Sequence, residues 1–252
     1  MQSNEKSVWF YTFHKCASSV VSFCALRNAL NLEYVDYEAK IDNGEIDRND
    51  ASGIEFSETG KVYAPIRLTG KPSSPALEAL LASATEEFVV SRRSIFMVRD
   101  PRDVLVSQFL SFTGAHTISE VPEIAREQEA HRNELNSRGI DTFVINSAEE
   151  TLNHYLQMNR LLEACQERVL LTYEQMVCDY VSFIQDLCVF VRIPFSTQFK
   201  VYLLTRPRRK ERPNLHKRMG AIGEHRIKLA PKTIDALNSI LAEALELYGY
   251  ET

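Results

Sequence analysis

Two short stretches carry residue types, at a spacing, that suit anion chemistry. In the first, "VWFYTFHKCASSVVSF", an apolar run ends in His14-Lys15-Cys16-Ala17-Ser18-Ser19 and a helical period takes over from Ser19. A strand–turn–helix junction aims unpaired backbone N–H groups at whatever lies above the helix start. Lys15 adds a full positive charge, and Ser18 and Ser19 add hydroxyl donors, so the stretch fits a cradle for phosphate or sulfate. A plainer role is open as well, in which Ser18 caps the helix and Lys15 is a solvated charge. The ATP-type loop G-x-x-x-x-G-K-[ST] is not present: the glycines are missing, and the lysine does not directly precede a serine.

The second stretch is "SIFMVRDPRDVLVSQF". An apolar strand ends at Arg99, and Pro101 restarts the chain as a helix at the position where a missing N–H costs nothing. Arg99 offers a planar fork suited to a phosphate, and Ser107, two turns along, offers one further donor. The plainer alternative is a pair of local ion pairs, Arg99-Asp100 and Arg102-Asp103, of the kind that contributes little. Two anion-ready strand–helix junctions in one chain make coincidence a weaker explanation.

The elements that must hold these residues alternate. Strand candidates lie at Ser7–Phe13, Leu32–Tyr37, Ser94–Val98 and Arg168–Thr172. Helical patterns follow Ser19, then span Ala76–Ala84 behind a Ser74-Pro75 start, Pro101 to about Phe112, and Ser119–Arg138. Further helices are expected behind a Ser147/Glu150 capping box, over Glu174–Arg192, and over Pro231–Leu247. Met158, Leu161, Leu162 and Cys165 recur on one helical face. Lys40–Tyr63 is acidic with little periodicity and reads as a long surface segment of the kind that serves as a lid. The alternation argues for an α/β protein with a mainly parallel sheet flanked by helices. One domain over residues 1–252 is expected, with no repeat and no clean boundary.

Composition narrows the function. The chain has 252 residues and a net charge of −5, so it lacks the basic footprint of a nucleic-acid binder and any anion site must be local. The five cysteines show no metal-ligand spacing and their count is odd, which suits a reducing compartment. Residues 1–7 are polar and no apolar run approaches a membrane span, so a cytoplasmic protein with no membrane partner is expected.

Taken together, these residues resemble the sulfotransferases that use 3′-phosphoadenosine 5′-phosphosulfate (PAPS). "FHKCASS" is similar to the family's 5′-phosphosulfate loop, and "RDPRDVLVS", Arg99 to Ser107, matches its R-[ND]-P-x-D-x-x-x-S motif for the 3′-phosphate. "RVLLTYEQMVCD" resembles the strand and turn before the later helices. "RMGAIGEHR" resembles the C-terminal R-K-G-x-x-G-D-W-K loop, with Met219 for a lysine and His225 for a tryptophan. The resemblance implies a P-loop-like sulfotransferase fold, PAPS as co-substrate and no metal. It implies donor contacts from Lys15, Cys16, Ala17, Ser18, Ser19, Arg99, Ser107, Arg218, Met219 and Gly220. It also implies transfer of the sulfuryl group to a hydroxyl or amine of a small molecule.

Such a transfer places Lys15 at the bridging oxygen as charge develops there. The base is not legible. The family's K-T-H segment corresponds to "APIRLTGKPSS", which has no histidine, so His14 and His116 are the candidates, with Glu55 behind them. The basic run Arg206–Arg212 fits either a solvated face or an attractor of anions. The acceptor pocket is expected from the segments at about 40–69 and 113–143, and the acidity of the first suits a cationic acceptor. Oligomeric state stays open. A P-loop-like kinase or a noncatalytic nucleotide binder is the alternative, although a kinase should also show a Mg²⁺-holding arrangement.

Overall fold

The structure, a computed structural model, describes residues 4–22, 26–28, 32–68, 72, 74–115, 122–194, 197–198, 201 and 222–252. Strands β1 (Val8–Thr12), β2 (Glu33–Val35), β3 (Lys61–Arg67), β4 (Arg93–Val98) and β5 (Glu167–Thr172) form one sheet in the order β2-β3-β1-β4-β5. Every pairing is parallel. β1 and β4 are buried along their whole length, as expected for strands covered on both faces. The expected α/β class with a parallel sheet flanked by helices is therefore what the chain adopts.

Strand β3 was not legible in the sequence. It carries Pro65, which has no N–H for a ladder, yet it lies between β2 and β1. The β1–β3 register shifts between Trp9 and Tyr11, and an irregularity of this kind is where a strand tolerates proline. The supposed long segment from Lys40 is correspondingly shorter. It contains the end of helix α2 (Tyr37–Asp42), capped by the Asp36 side chain on the Ala39 N–H, and a 3-10 turn at Ala51–Gly53.

By internal contacts the chain divides into two compact units, Met1–Arg99 with Leu156–Arg206, and Asp100–Tyr155 with Pro207–Thr252. The first holds the sheet. Its helices are α1 (Ser18–Val20), α2, α3 (Pro75–Leu81) and α4 (Glu86–Val89), with α8 (Tyr173–Cys178) and α9 (Tyr180–Phe190) after β5. On one face of the sheet Val8, Phe10, Ile95 and Met97 pack with Met176, Phe183, Ile184 and Leu187. Trp9, Tyr63, Phe56 and Phe88 form an aromatic cluster of stacked and edge-on rings, and Tyr11 stacks on Phe96.

The second unit holds α5 (Pro101–Leu110), α6 (Pro122–Asn146), α10 (Glu224–Lys228), α11 (Pro231–Ile240) and α12 (Ala242–Leu247). Leu105, Val106, Val144, Leu237, Leu241 and Leu245 make its core. Helix α6 is broken at Gly139, whose φ of 75° only glycine adopts readily. Helix α7 (Ala148–Ala164) begins in this unit and ends in the first; its Met158, Leu161 and Leu162, and Cys165 just beyond its end, are buried as the periodicity predicts. No helix among the described residues is long and apolar enough to cross a membrane.

Candidate functional site

A parallel sheet puts all its strand C-termini on one edge. From β1 the chain goes to β2 and β3 on one side, then places β4 on the other. β1 and β4 therefore flank a topological switch point, where the loops diverge and leave a crevice. The His14–Ser19 loop follows β1 and Arg99 follows β4, so the fold brings the two expected anion junctions to this point.

They touch. Arg99 is 2% exposed, and its Nη1 donates to the Lys15 carbonyl oxygen at 3.2 Å. The guanidinium lies over the Tyr173 ring, 4.3 Å from its centroid, a cation–π contact that fixes the plane of the fork. The loop makes its bend without glycine. Lys15 and Ala17 both have left-handed backbones, with φ of 68° and 57°, each costing roughly 1–2 kcal/mol for a side-chain-bearing residue. The Ala17 carbonyl then accepts from the Val20 and Val21 N–H groups at 2.9 and 3.3 Å, which starts α1.

The loop side chains fall into separate environments. Cys16 is fully buried, and burial pushes its thiol up to about 12, so it is a packing residue rather than a thiolate. Ser18 is buried, Lys15 and Ala17 are half-buried, and His14 and Ser19 are exposed. Burial lowers the Lys15 pKa, and the nearby Arg67 charge lowers it further. The His14 carbonyl lies 3.9 Å from Cys16 Sγ.

Sequence reasoning missed two residues here. Arg67, at the end of β3, donates from Nε and Nη2 to Ser18 Oγ at 3.2 and 3.1 Å. Its Nη1 pairs with Glu38 Oε2, and its backbone N–H donates to Glu38 Oε1 at 2.8 Å. Burial raises the Glu38 pKa, against the pull of Arg67. The only signal was the place of Arg67 in "APIRLTGKPSS"; a carboxylate in a segment full of carboxylates gave none.

In the second unit, Ser107 is half-buried on α5. The expected local pair of Arg102 with Asp103 does not form. Asp100 caps α5 by accepting from the Arg102 N–H, and the Arg102 fork returns to Asp100 at 3.0 and 2.7 Å. Arg102 also donates to Asn238 and to the Glu251 carbonyl, both at 2.6 Å. Asp103 accepts from the Gly223 and His225 N–H groups at 2.7 and 3.0 Å and lies 2.7 Å from His225 Nδ1. The local Arg102-Asp103 pair is thus replaced by longer-range ties. His116, Arg218, Met219, Gly220 and the run Arg206–Arg212 lie outside the described residues. Among the described residues no cluster of His, Cys, Asp and Glu is arranged to hold a metal.

The sulfotransferase domain matches residues 81–249. Mouse sulfotransferase SULT7A1 complexed with PAP superposes with a TM-score of 0.61 at 13% identity, covering 100% of this chain and 91% of that one. Retinol dehydratase in a complex with retinol and PAP gives 0.50 at 13%, covering 95% and 81%. No curated protein sequence matches. The two solved structures share the fold, and the domain match spans more than half of the residues, so the chain belongs to the sulfotransferase family and its chemistry is sulfuryl transfer.

Proposed function

We propose that the donor is PAPS and that the acceptor is a hydroxyl or amine of a small molecule. The observation that carries this reading is the hydrogen bond from Arg99 to the Lys15 carbonyl at the β1/β4 switch point. A nucleotide phosphorylated at both its 3′ and 5′ positions needs two anion grips at fixed separation, and adjacent strand ends provide them. Lys15 meets the bridging oxygen as it gains charge, with Ser18, Ser19 and the backbone of Cys16 and Ala17 on the 5′-phosphate. Arg99 takes the 3′-phosphate. On the resemblance alone, Ser107, Arg218, Met219 and Gly220 share that task. PAP, 3′-phosphoadenosine 5′-phosphate, in both matched structures supports the same donor.

The acceptor site is assigned to the segments at about 40–69 and 113–143 of a single catalytic domain. His14 stands as the candidate base among the described histidines, on its place beside Lys15. The four described cysteines are free, which supports a cytoplasmic setting.

The test is titration of the chain with PAP and with ADP, which has no 3′-phosphate. Selective binding of PAP is expected. Tight binding of ADP, with no gain from the 3′-phosphate, overturns the reading. Screening hydroxyl and amine acceptors with PAPS then identifies the acceptor class.

A further inference from the structure

We propose that Glu38 and Arg67 form a positioning pair that turns Ser18 into an obligate hydrogen-bond donor toward the 5′-phosphate of the bound nucleotide; this rests on the PAPS reading above.

A serine hydroxyl has one proton to give and two lone pairs to receive. In a loop of mixed donors and acceptors it rotates to suit its neighbours, and it welcomes water or a cation as readily as an anion. Here both Nε and Nη2 of Arg67 point at Ser18 Oγ, at 3.2 and 3.1 Å. With two N–H groups directed at its lone pairs, the hydroxyl retains only its proton to offer. Arg67 thereby fixes the polarity of Ser18.

Glu38 fixes Arg67 in turn. Its carboxylate takes the Nη1 end of the guanidinium through one oxygen and the Arg67 backbone N–H through the other. The fork is held from the side opposite Ser18 and cannot swing into the crevice. The pair is largely withdrawn from water, with side-chain exposures of 18% for Arg67 and 14% for Glu38, so it keeps its geometry where a surface pair would fray. The three partners come from three elements, α2, β3 and α1. Their arrangement is a product of the fold and not of local sequence.

The experiment is a double-mutant cycle on the full chain, read by calorimetry with PAP, ADP and adenosine 3′-monophosphate, which retains the 3′-phosphate and lacks the 5′-phosphate. Ser18→Ala and Arg67→Lys are each expected to weaken PAP by about tenfold, the scale of one charge-assisted hydrogen bond. The double variant is expected to be no weaker than Ser18→Ala alone, because the two residues act through one hydrogen bond. Affinity for adenosine 3′-monophosphate should be unchanged in all of them. A merely structural role for Arg67 would weaken both nucleotides and add to the serine loss.

If Arg67→Lys does not fold, Glu38→Gln, isosteric and still able to accept from the Arg67 N–H, takes its place in the cycle with a loss of about threefold expected. PAP-selective wild-type protein with additive losses, or with equal losses for adenosine 3′-monophosphate, overturns the pair and leaves the PAPS reading intact. Wild-type protein that binds ADP tightly and ignores the 3′-phosphate overturns both.

Discussion

The environment of Lys15 gives the role proposed for it a sign. Burial and the Arg67 charge both disfavour its ammonium, so its folded pKa lies below the ordinary lysine value of 10.5. The ammonium is present below that folded pKa and lost above it. Turnover should therefore fall, as pH rises, earlier than for a freely solvated lysine. For stability the sign is reversed from the usual paired lysine: the charged form is the disfavoured one in the fold, so any cost it imposes is relieved as pH rises through the folded pKa. An anionic ligand favours the ammonium again, so PAP binding at alkaline pH should take up protons, visible as a dependence of the binding heat on buffer ionisation enthalpy. That uptake should vanish in Lys15→Ala. The same variant should lose turnover by about 100-fold or more while PAP affinity stays within about tenfold, because Arg99 and Ser18 remain. Near-normal turnover would remove Lys15 from the mechanism. Ala17 tests the loop backbone. Its φ of 57° is a conformation β-branched residues resist, so Ala17→Val should destabilise the protein by about 1–3 kcal/mol in urea unfolding, and an unchanged midpoint would refute the strained bend.

At the scale of elements, the start of α5 shows how a motif divides its labour. Arg99 belongs to the loop after β4, whereas Arg102, 2% exposed, ties the cap of α5 to Asn238 on α11 and to the chain end at Glu251. Arg102→Met keeps the length of the side chain but removes the two bonds of the buried guanidinium to Asp100 and those to Asn238 and the Glu251 carbonyl. It should cost about 3–5 kcal/mol in chemical denaturation, and a loss under 1 kcal/mol would contradict this tie. The sequence showed β1, β4, β5 and the junctions behind the first two, because each is an apolar run cut by polar residues. It did not show β3, whose apolar run is interrupted by Pro65. It ended a helix at Arg138, next to the break at Gly139, but it did not show the breaks at Asp179 and Leu241, where a continuing helical period hides a local change of backbone. The Arg67–Glu38–Ser18 contact was invisible for a different reason: it joins residues 29 and 49 positions apart, and no local pattern encodes such a meeting.

For the whole molecule, a net charge of −5 works against a polyanionic ligand at long range, so affinity must come from a few cations at close quarters. The contacts proposed for Lys15 and Arg99 at the strand ends are of that kind. β1 and β4, fully buried and paired with each other, carry Lys15 and Arg99 just beyond their C-terminal ends. A ligand gripped there stabilises the folded chain in proportion to its affinity. At a concentration of about 100 times Kd the gain is roughly 2.7 kcal/mol, and for a chain of this size that raises Tm by roughly 5–10 °C. ADP at the same concentration lacks the group assigned to Arg99 and should raise Tm by much less. Salt sharpens the test. Screening weakens exposed ion pairs over a Debye length of about 3 Å at 1 M, but Arg99 is shielded by Tyr173 and by the loop it binds. The difference in Tm between PAP and ADP should therefore persist at about 1 M salt. A difference that collapses there would mean that the 3′-phosphate is held by surface charges and not by Arg99.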